Sequence, residues 1–154
     1  KEIRRIISQE GQPKILDLFC GNGNLTQDIA ETADEIQGWD TSEGSIEKAN
    51  MWAEEHGFSH CKYHKGQASD ALNSNFYNQA DVLILDPPRA GAKHLCSQLR
   101  SDFRKIIYLS CDPANLARDL QVLTEKSYTI EYLQPYDMFP QTYHIETLAL
   151  LGKK

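Results

Sequence analysis

The chain has 154 residues, 40% of them hydrophobic, enough to bury about two-thirds of the unfolded surface in one core and too few for a second domain. Its 22 acidic against 16 basic residues leave a net charge of -6, which excludes a strong free-standing nucleic-acid binder, because that affinity comes mainly from Lys and Arg neutralising phosphates. No apolar run approaches the roughly 18 residues of a membrane span, and Cys20, Cys61, Cys96 and Cys111 show no paired spacing, so a reducing cytoplasm is expected.

The sequence opens on Lys1-Glu2-Ile3-Arg4-Arg5, without an initiator Met or an apolar leader, and is expected to be a piece of a longer protein. The first strand is predicted over Lys14 to Phe19. It runs into Asp17-Leu18-Phe19-Cys20-Gly21-Asn22-Gly23-Asn24, and a helix follows from about Leu25. Gly21 and Gly23 let backbone approach a ligand closely, but Thr26 stands where a dinucleotide site would want a further glycine. The second strand, Glu35 to Asp40, ends in an acid 19 residues after Gly21, placed to accept hydrogen bonds from ribose hydroxyls. The competing role for Asp40 is a turn or cap residue before Thr41-Ser42-Glu43.

The third strand is predicted over Cys61 to Lys65. His56, His60, Cys61 and His64 loosely resemble zinc spacing, but solvated strand faces explain them and no metal is expected. The fourth strand, Asp81 to Asp86, runs into Pro87-Pro88-Arg89, a rigid lip because proline fixes φ and withholds a donor. A simple strand exit accounts for the prolines and leaves Asp86 unexplained. The fifth, Lys105 to Ser110, runs into Cys111-Asp112-Pro113, where Asp112 reads as an N-cap and Pro113 as the first helical residue. Two further runs, Tyr128 to Leu133 and His144 to Leu151, are expected to pair antiparallel at one edge.

This βαβ alternation predicts an α/β fold: a mostly parallel sheet with an antiparallel edge strand, helices on both faces, and a ligand site at the carboxyl ends of the strands. A nucleoside without a pyrophosphate suits the glycine loop and Asp40, and S-adenosylmethionine is such a ligand; Phe19 and the Gln67 region are placed to border its adenine. Cys111, beside a helix N-terminus, sits where partial positive charge favours a thiolate. Free cysteines are also among the most buried residues, which is the plainer role for it.

Four stretches carry a family resemblance: Asp17 to Asn24, Asp86-Pro87-Pro88-Arg89-Ala90-Gly91, Ser110 to Asp119, and Asp137-Met138-Phe139-Pro140-Gln141-Thr142-Tyr143-His144-Ile145-Glu146. With these the chain resembles the catalytic domain of the RNA uracil-5-methyltransferases over nearly its whole length. The resemblance implies a Rossmann-like class I methyltransferase fold with seven strands, S-adenosylmethionine as cofactor, and residues 1–154 as a catalytic domain lacking its N-terminal RNA-binding part. It implies Cys111 as nucleophile and Glu146 as base. It also aligns Phe19, Asn24, Asp40, Gln67 and Asp86 with cofactor-contacting positions, beside Gly21 of the glycine loop. Asp40 stands where some members carry Glu, and either carboxylate can hold a ribose. Members also use a glutamine upstream of the first strand, a position outside this sequence, so weak cofactor binding is expected of these residues alone.

The chemistry asks for the same residue types. Carbon 5 of a neutral uracil is too poor a nucleophile to take a methyl group from a sulfonium, and addition of a thiolate to carbon 6 makes it an enolate carbon. A base must then remove the carbon 5 proton. Glu146, in the apolar run Ile145 to Leu151, is expected to have its pKa raised by desolvation, with His144 on the same strand face as the competing base. Phe139 and Pro140 are placed to line a pocket for a base drawn from its stack, or else form a surface turn. Arg118 is placed either to meet a phosphate or the uracil carbonyl, or to make an exposed helix salt bridge.

Within the family that the chain resembles, the wording of Asp137 to Thr142 leans towards ribosomal RNA, 23S RNA in particular, ahead of transfer RNA. The alternatives are an adenine or cytosine amino-group methyltransferase, where Arg89 replaces the aromatic residue of the Asp-Pro-Pro lip, and a non-catalytic docking domain.

Overall fold

All five predicted apolar runs form strands: β1 (Lys14–Leu18), β2 (Glu35–Asp40), β3 (Cys61–Lys65), β4 (Val82–Leu85) and β5 (Lys105–Ser110). The computed structural model describes residues 2–137 and 145–154. Two further strands, β6 (Tyr128–Tyr136) and β7 (Glu146–Lys153), complete a mixed sheet in the order β3-β2-β1-β4-β5-β7-β6. By contact the chain divides into residues 1–83 and 84–154.

In the first unit β1 pairs parallel with β2, and β2 parallel with β3. Four of the five β1 residues are buried, including Asp17, and such near-continuous burial is what a strand covered on both faces requires. The helices here are α1 (Glu2–Ser8), α2 (Asn24–Gln27), α3 (Glu43–Glu55) and α4 (Ala68–Ala71). The amphipathic α3 buries Ile46, Ala49 and Ala53 at helical spacing.

In the second unit, α5 (Lys93–Gln98) precedes β5, and α6 (Pro113–Glu125) follows it. As expected, the Asp112 carboxylate caps α6 by accepting from the Asn115 backbone N–H at 2.9 Å, with Pro113 in the first turn. Leu116, Leu120 and Leu123 give α6 a buried stripe, and Asp119 is buried within it.

The antiparallel end of the sheet is larger than the sequence suggests. β7 runs antiparallel to both neighbours, so it lies one place in from the edge, and β6 is the edge strand. β6 also continues beyond Leu133, pairing Gln134, Pro135 and Tyr136 with Leu148, Thr147 and Glu146. A proline normally argues against a strand, but on an edge its missing N–H costs nothing to the ladder. His144, expected to begin β7, lies outside the described residues.

Candidate active site

In the first unit, the expected cofactor residues lie at or after the carboxyl ends of strands. β1 stops one residue earlier than predicted, because Phe19 turns to φ 65°, a left-handed conformation few non-glycine residues adopt. The Phe19 and Cys20 N–H groups both donate to the Trp39 carbonyl of β2, at 2.9 and 3.2 Å, and pin the start of the loop. Gly23 then takes φ 78° as the N-cap of α2, and a Cβ there would lie 3.0 Å from the Tyr63 ring, so the position accepts only glycine without rearrangement.

Asp40, the last residue of β2, ties this loop to the next. Its carboxylate accepts from the Gly21 N–H at 3.0 Å and from the Ser42 N–H at 2.8 Å. The ribose and turn roles weighed for Asp40 are thus compatible: each oxygen uses one lone pair on backbone and keeps another. Asn24 is exposed at the start of α2. Gln67, exposed two residues after β3, is the N-cap of α4, with its N–H donating to Asp70 at 2.7 Å. Phe19 is half-buried.

In the second unit, Cys111 follows β5 directly and is half-buried, whereas Cys20, Cys61 and Cys96 are buried. Burial pushes the Cys61 thiol up to about 11 and that of Cys96 up to about 12, and it raises Cys20 further still. The three are inert core thiols, which leaves Cys111 as the accessible thiol. The hydroxyl of Ser110 donates to the Asp112 carbonyl at 3.0 Å and accepts from the Asp112 N–H at 3.1 Å, closing a tight turn around the cysteine.

Glu146 is the first residue of β7, and the register of Ser110 opposite Thr147 carries it alongside the Cys111 turn. Asp86 follows β4 and precedes buried Pro87. Although Asp86 is solvent-accessible, protein atoms crowd its carboxyl, and the nearby Glu146 carboxylate adds repulsion, so its pKa rises from 3.8 to about 6. Thiol and both carboxyls therefore gather at one end of the second unit.

The Asp86 shift has a measurable consequence. Folded protein binds this proton more tightly than unfolded chain, so the group favours folding below pH 3.8 and loses that contribution as pH rises to about 6. The Tm of wild type is expected to gain a downward slope across this window that Asp86→Asn lacks. Parallel Tm curves for the two proteins between pH 4 and 7 would contradict the assignment.

The Arg118 side chain is partly at the surface, pairs with the adjacent buried Asp119 at 2.8 Å and donates to the Ala90 carbonyl at 2.9 Å. Asp119 is a residue the motif reading passed over, although an acid within the Leu116, Leu120, Leu123 stripe was a visible signal. Phe139 and Pro140 lie outside the described residues. The histidines of the zinc-like segment are engaged separately: His56 stacks on Trp52, His60 meets the Ala30 carbonyl at 2.9 Å and His64 stacks on Trp39. Among the described residues no cluster of three or more His, Cys, Asp or Glu side chains is arranged to hold a metal, and no helix is long and apolar enough to cross a membrane.

The family model described as tRNA (uracil-5-)-methyltransferase matches residues 3–154. An uncharacterized RNA methyltransferase of Listeria monocytogenes is 39% identical over 160 residues, covering 100% of this chain and 34% of that protein. The 23S rRNA (uracil(1939)-C(5))-methyltransferase RlmD of Hahella chejuensis is 38% identical over 147 residues, covering 90% of this chain and 33% of that protein. Among solved structures, the Pyrococcus abyssi tRNA (uracil-54, C5)-methyltransferase in complex with S-adenosyl-L-homocysteine superposes with a TM-score of 0.77 at 30% identity, covering 97% of this chain and 37% of that one. The chain spans about a third of the length of the curated relatives it matches. From the family match over nearly its whole length, the chain belongs to the tRNA (uracil-5-)-methyltransferase family.

Proposed function

We propose that residues 1–154 are the catalytic domain of an RNA uracil-5-methyltransferase that draws its methyl group from S-adenosylmethionine and acts on 23S ribosomal RNA. The observation that carries the reading is the gathering of the accessible Cys111 thiol with the Glu146 and Asp86 carboxyls.

The residues present suit the cofactor. Asp40 keeps free lone pairs for ribose hydroxyls, and Phe19 offers a partly exposed ring beside the glycine loop. Thr26, where a pyrophosphate site uses glycine, is buried and hydrogen-bonded to the Tyr63 hydroxyl at 3.0 Å. Phe19, Gly21, Asn24, Asp40 and Gln67 of the first unit are the residues assigned to hold it, and what it supplies is an electrophilic methyl group.

Cys111 adds as a thiolate to carbon 6 of the uracil, and the ring's electron pair moves to the carbon 5 enolate. Carbon 5 takes the methyl group, whose bond to the sulfonium sulfur breaks to leave a neutral thioether. Glu146 then accepts the carbon 5 proton, the double bond re-forms, and the Cys111 sulfur leaves as thiolate. Nothing in this sequence needs a metal or an oxidant. With a net charge of -6, the grip on RNA is assigned to other parts of the full-length polypeptide, and four free thiols suit a reducing cytoplasm.

The substrate is favoured as ribosomal by the RlmD relative at 38% identity, against 30% for the tRNA enzyme. The test uses the full-length protein, labelled S-adenosylmethionine, and 23S rRNA and tRNA transcripts, followed by nucleoside mass spectrometry. Label in 5-methyluridine from 23S rRNA is expected. Label in tRNA alone would move the substrate, and label on an exocyclic amino group would overturn the chemistry.

A further inference from the structure

Asp119 is fully buried, and a buried carboxylate is costly unless several donors meet it. Three do: the Ala92 backbone N–H donates at 2.5 Å, the Tyr108 hydroxyl of β5 at 2.6 Å and Arg118 Nε at 2.9 Å, and the Arg118 Nη2 adds an ion-pair contact at 2.8 Å. Burial and the Asp119 charge push the Tyr108 phenol far above its ordinary range, so it stays a donor.

These contacts join two segments that the proposed reaction uses. Arg118 also donates to the Ala90 carbonyl, and the Asn115 side-chain amide donates to the Arg89 carbonyl at 3.0 Å. Arg89 in turn lies 3.7 Å from the Asp112 carboxylate that caps α6. The loop leaving Asp86 is therefore bolted at Arg89, Ala90 and Ala92 to the first two turns of the helix that begins beside Cys111. Gly91 has φ 75°, and a Cβ there would stand 2.5 Å from Asp119 Oδ2 and 2.7 Å from Arg118 Nη2. The backbone has no spare room at the bolt.

We propose that Asp119 and Arg118 are a positioning pair, which holds the Asp86 loop and the Cys111 turn in one arrangement while a uracil is attacked. The inference rests on the reading of Cys111 as the nucleophile. Neither residue touches the substrate; both act through the segments they fasten. Displacing a reacting group by about 1 Å can cost about 100-fold in rate, so a loosened bolt acts on kcat. The residues assigned to hold the cofactor from the first unit are not part of it.

The test compares full-length wild type with Asp119→Asn and Arg118→Gln, well below the melting temperature of each. The expected result is a fall in kcat of about tenfold or more, with KM for S-adenosylmethionine within about threefold of wild type. In parallel, iodoacetamide labelling is read cysteine by cysteine by mass spectrometry. A freed turn opens more often, so Cys111 is expected to label faster while buried Cys20 and Cys61 stay protected. If Asp119→Asn does not fold, Arg118→Gln, whose side chain is partly at the surface, decides. Unchanged kcat and unchanged Cys111 labelling would overturn the proposal, as would labelling of Cys20 and Cys61 in step with Cys111. A wild type that makes no 5-methyluridine would sink the reaction assignment instead, and the labelling comparison would still decide the bolt.

Discussion

Replacing Cys111 by alanine in the full-length protein is expected to end methylation of RNA, a loss of about 10,000-fold or more, and to end covalent capture of RNA containing 5-fluorouridine. The size follows from the chemistry: without addition at carbon 6, carbon 5 has no route to enolate character, and no neighbouring group replaces the bond that sulfur makes. Fluorine sharpens the test, because carbon 5 then carries no removable proton and the adduct persists after methyl transfer. Wild type should give a complex that survives denaturing electrophoresis, and the variant none. Binding of S-adenosylmethionine should be unaffected, since no residue assigned to it is altered. Retention of activity by Cys111→Ala would point to direct transfer onto an exocyclic amine. Retention of capture would mean that another thiol is the nucleophile, against the burial that holds Cys20, Cys61 and Cys96 inert.

The parts of this protein legible in its sequence are those written in local patterns. β1, β4 and β5 read clearly because strands buried on both faces are continuous apolar runs, and α6 because Asp112 and Pro113 punctuate its start. Cys111 and Asp40 were placed by those same boundaries, each at the end of a strand. What depends on distant partners was not legible. β6 looked as though it ended at Leu133, because only pairing with β7 makes Gln134-Pro135-Tyr136 a strand. Phe19 looked like strand, but two hydrogen bonds to the Trp39 carbonyl end it in a left-handed turn. Asp119 stands at helical spacing within the Leu116, Leu120 and Leu123 stripe, but its partners do not show in the local pattern. Its burial depends on Ala92 and Tyr108, 27 and 11 residues away, and no local rule announces such a meeting.

Glu146 separates the steps of the proposed reaction, because its work comes last. In Glu146→Gln the thiolate still adds and the methyl group still transfers, but the carbon 5 proton has no acceptor. Turnover should fall by about 100- to 10,000-fold, the range for loss of a positioned general base. Unlike Cys111→Ala, the variant should accumulate a covalent complex with ordinary uridine-containing RNA, and the trapped base should already carry the methyl group by mass spectrometry. Asp86 provides an internal control. Its raised pKa comes from desolvation first and the Glu146 charge second, so Glu146→Gln should lower it part of the way while Asp86 itself remains to titrate. Accumulation of methylated adduct together with that smaller Asp86 shift would assign the proton to Glu146. Normal turnover in Glu146→Gln, with loss of activity in His144→Gln, would give the base to His144 instead.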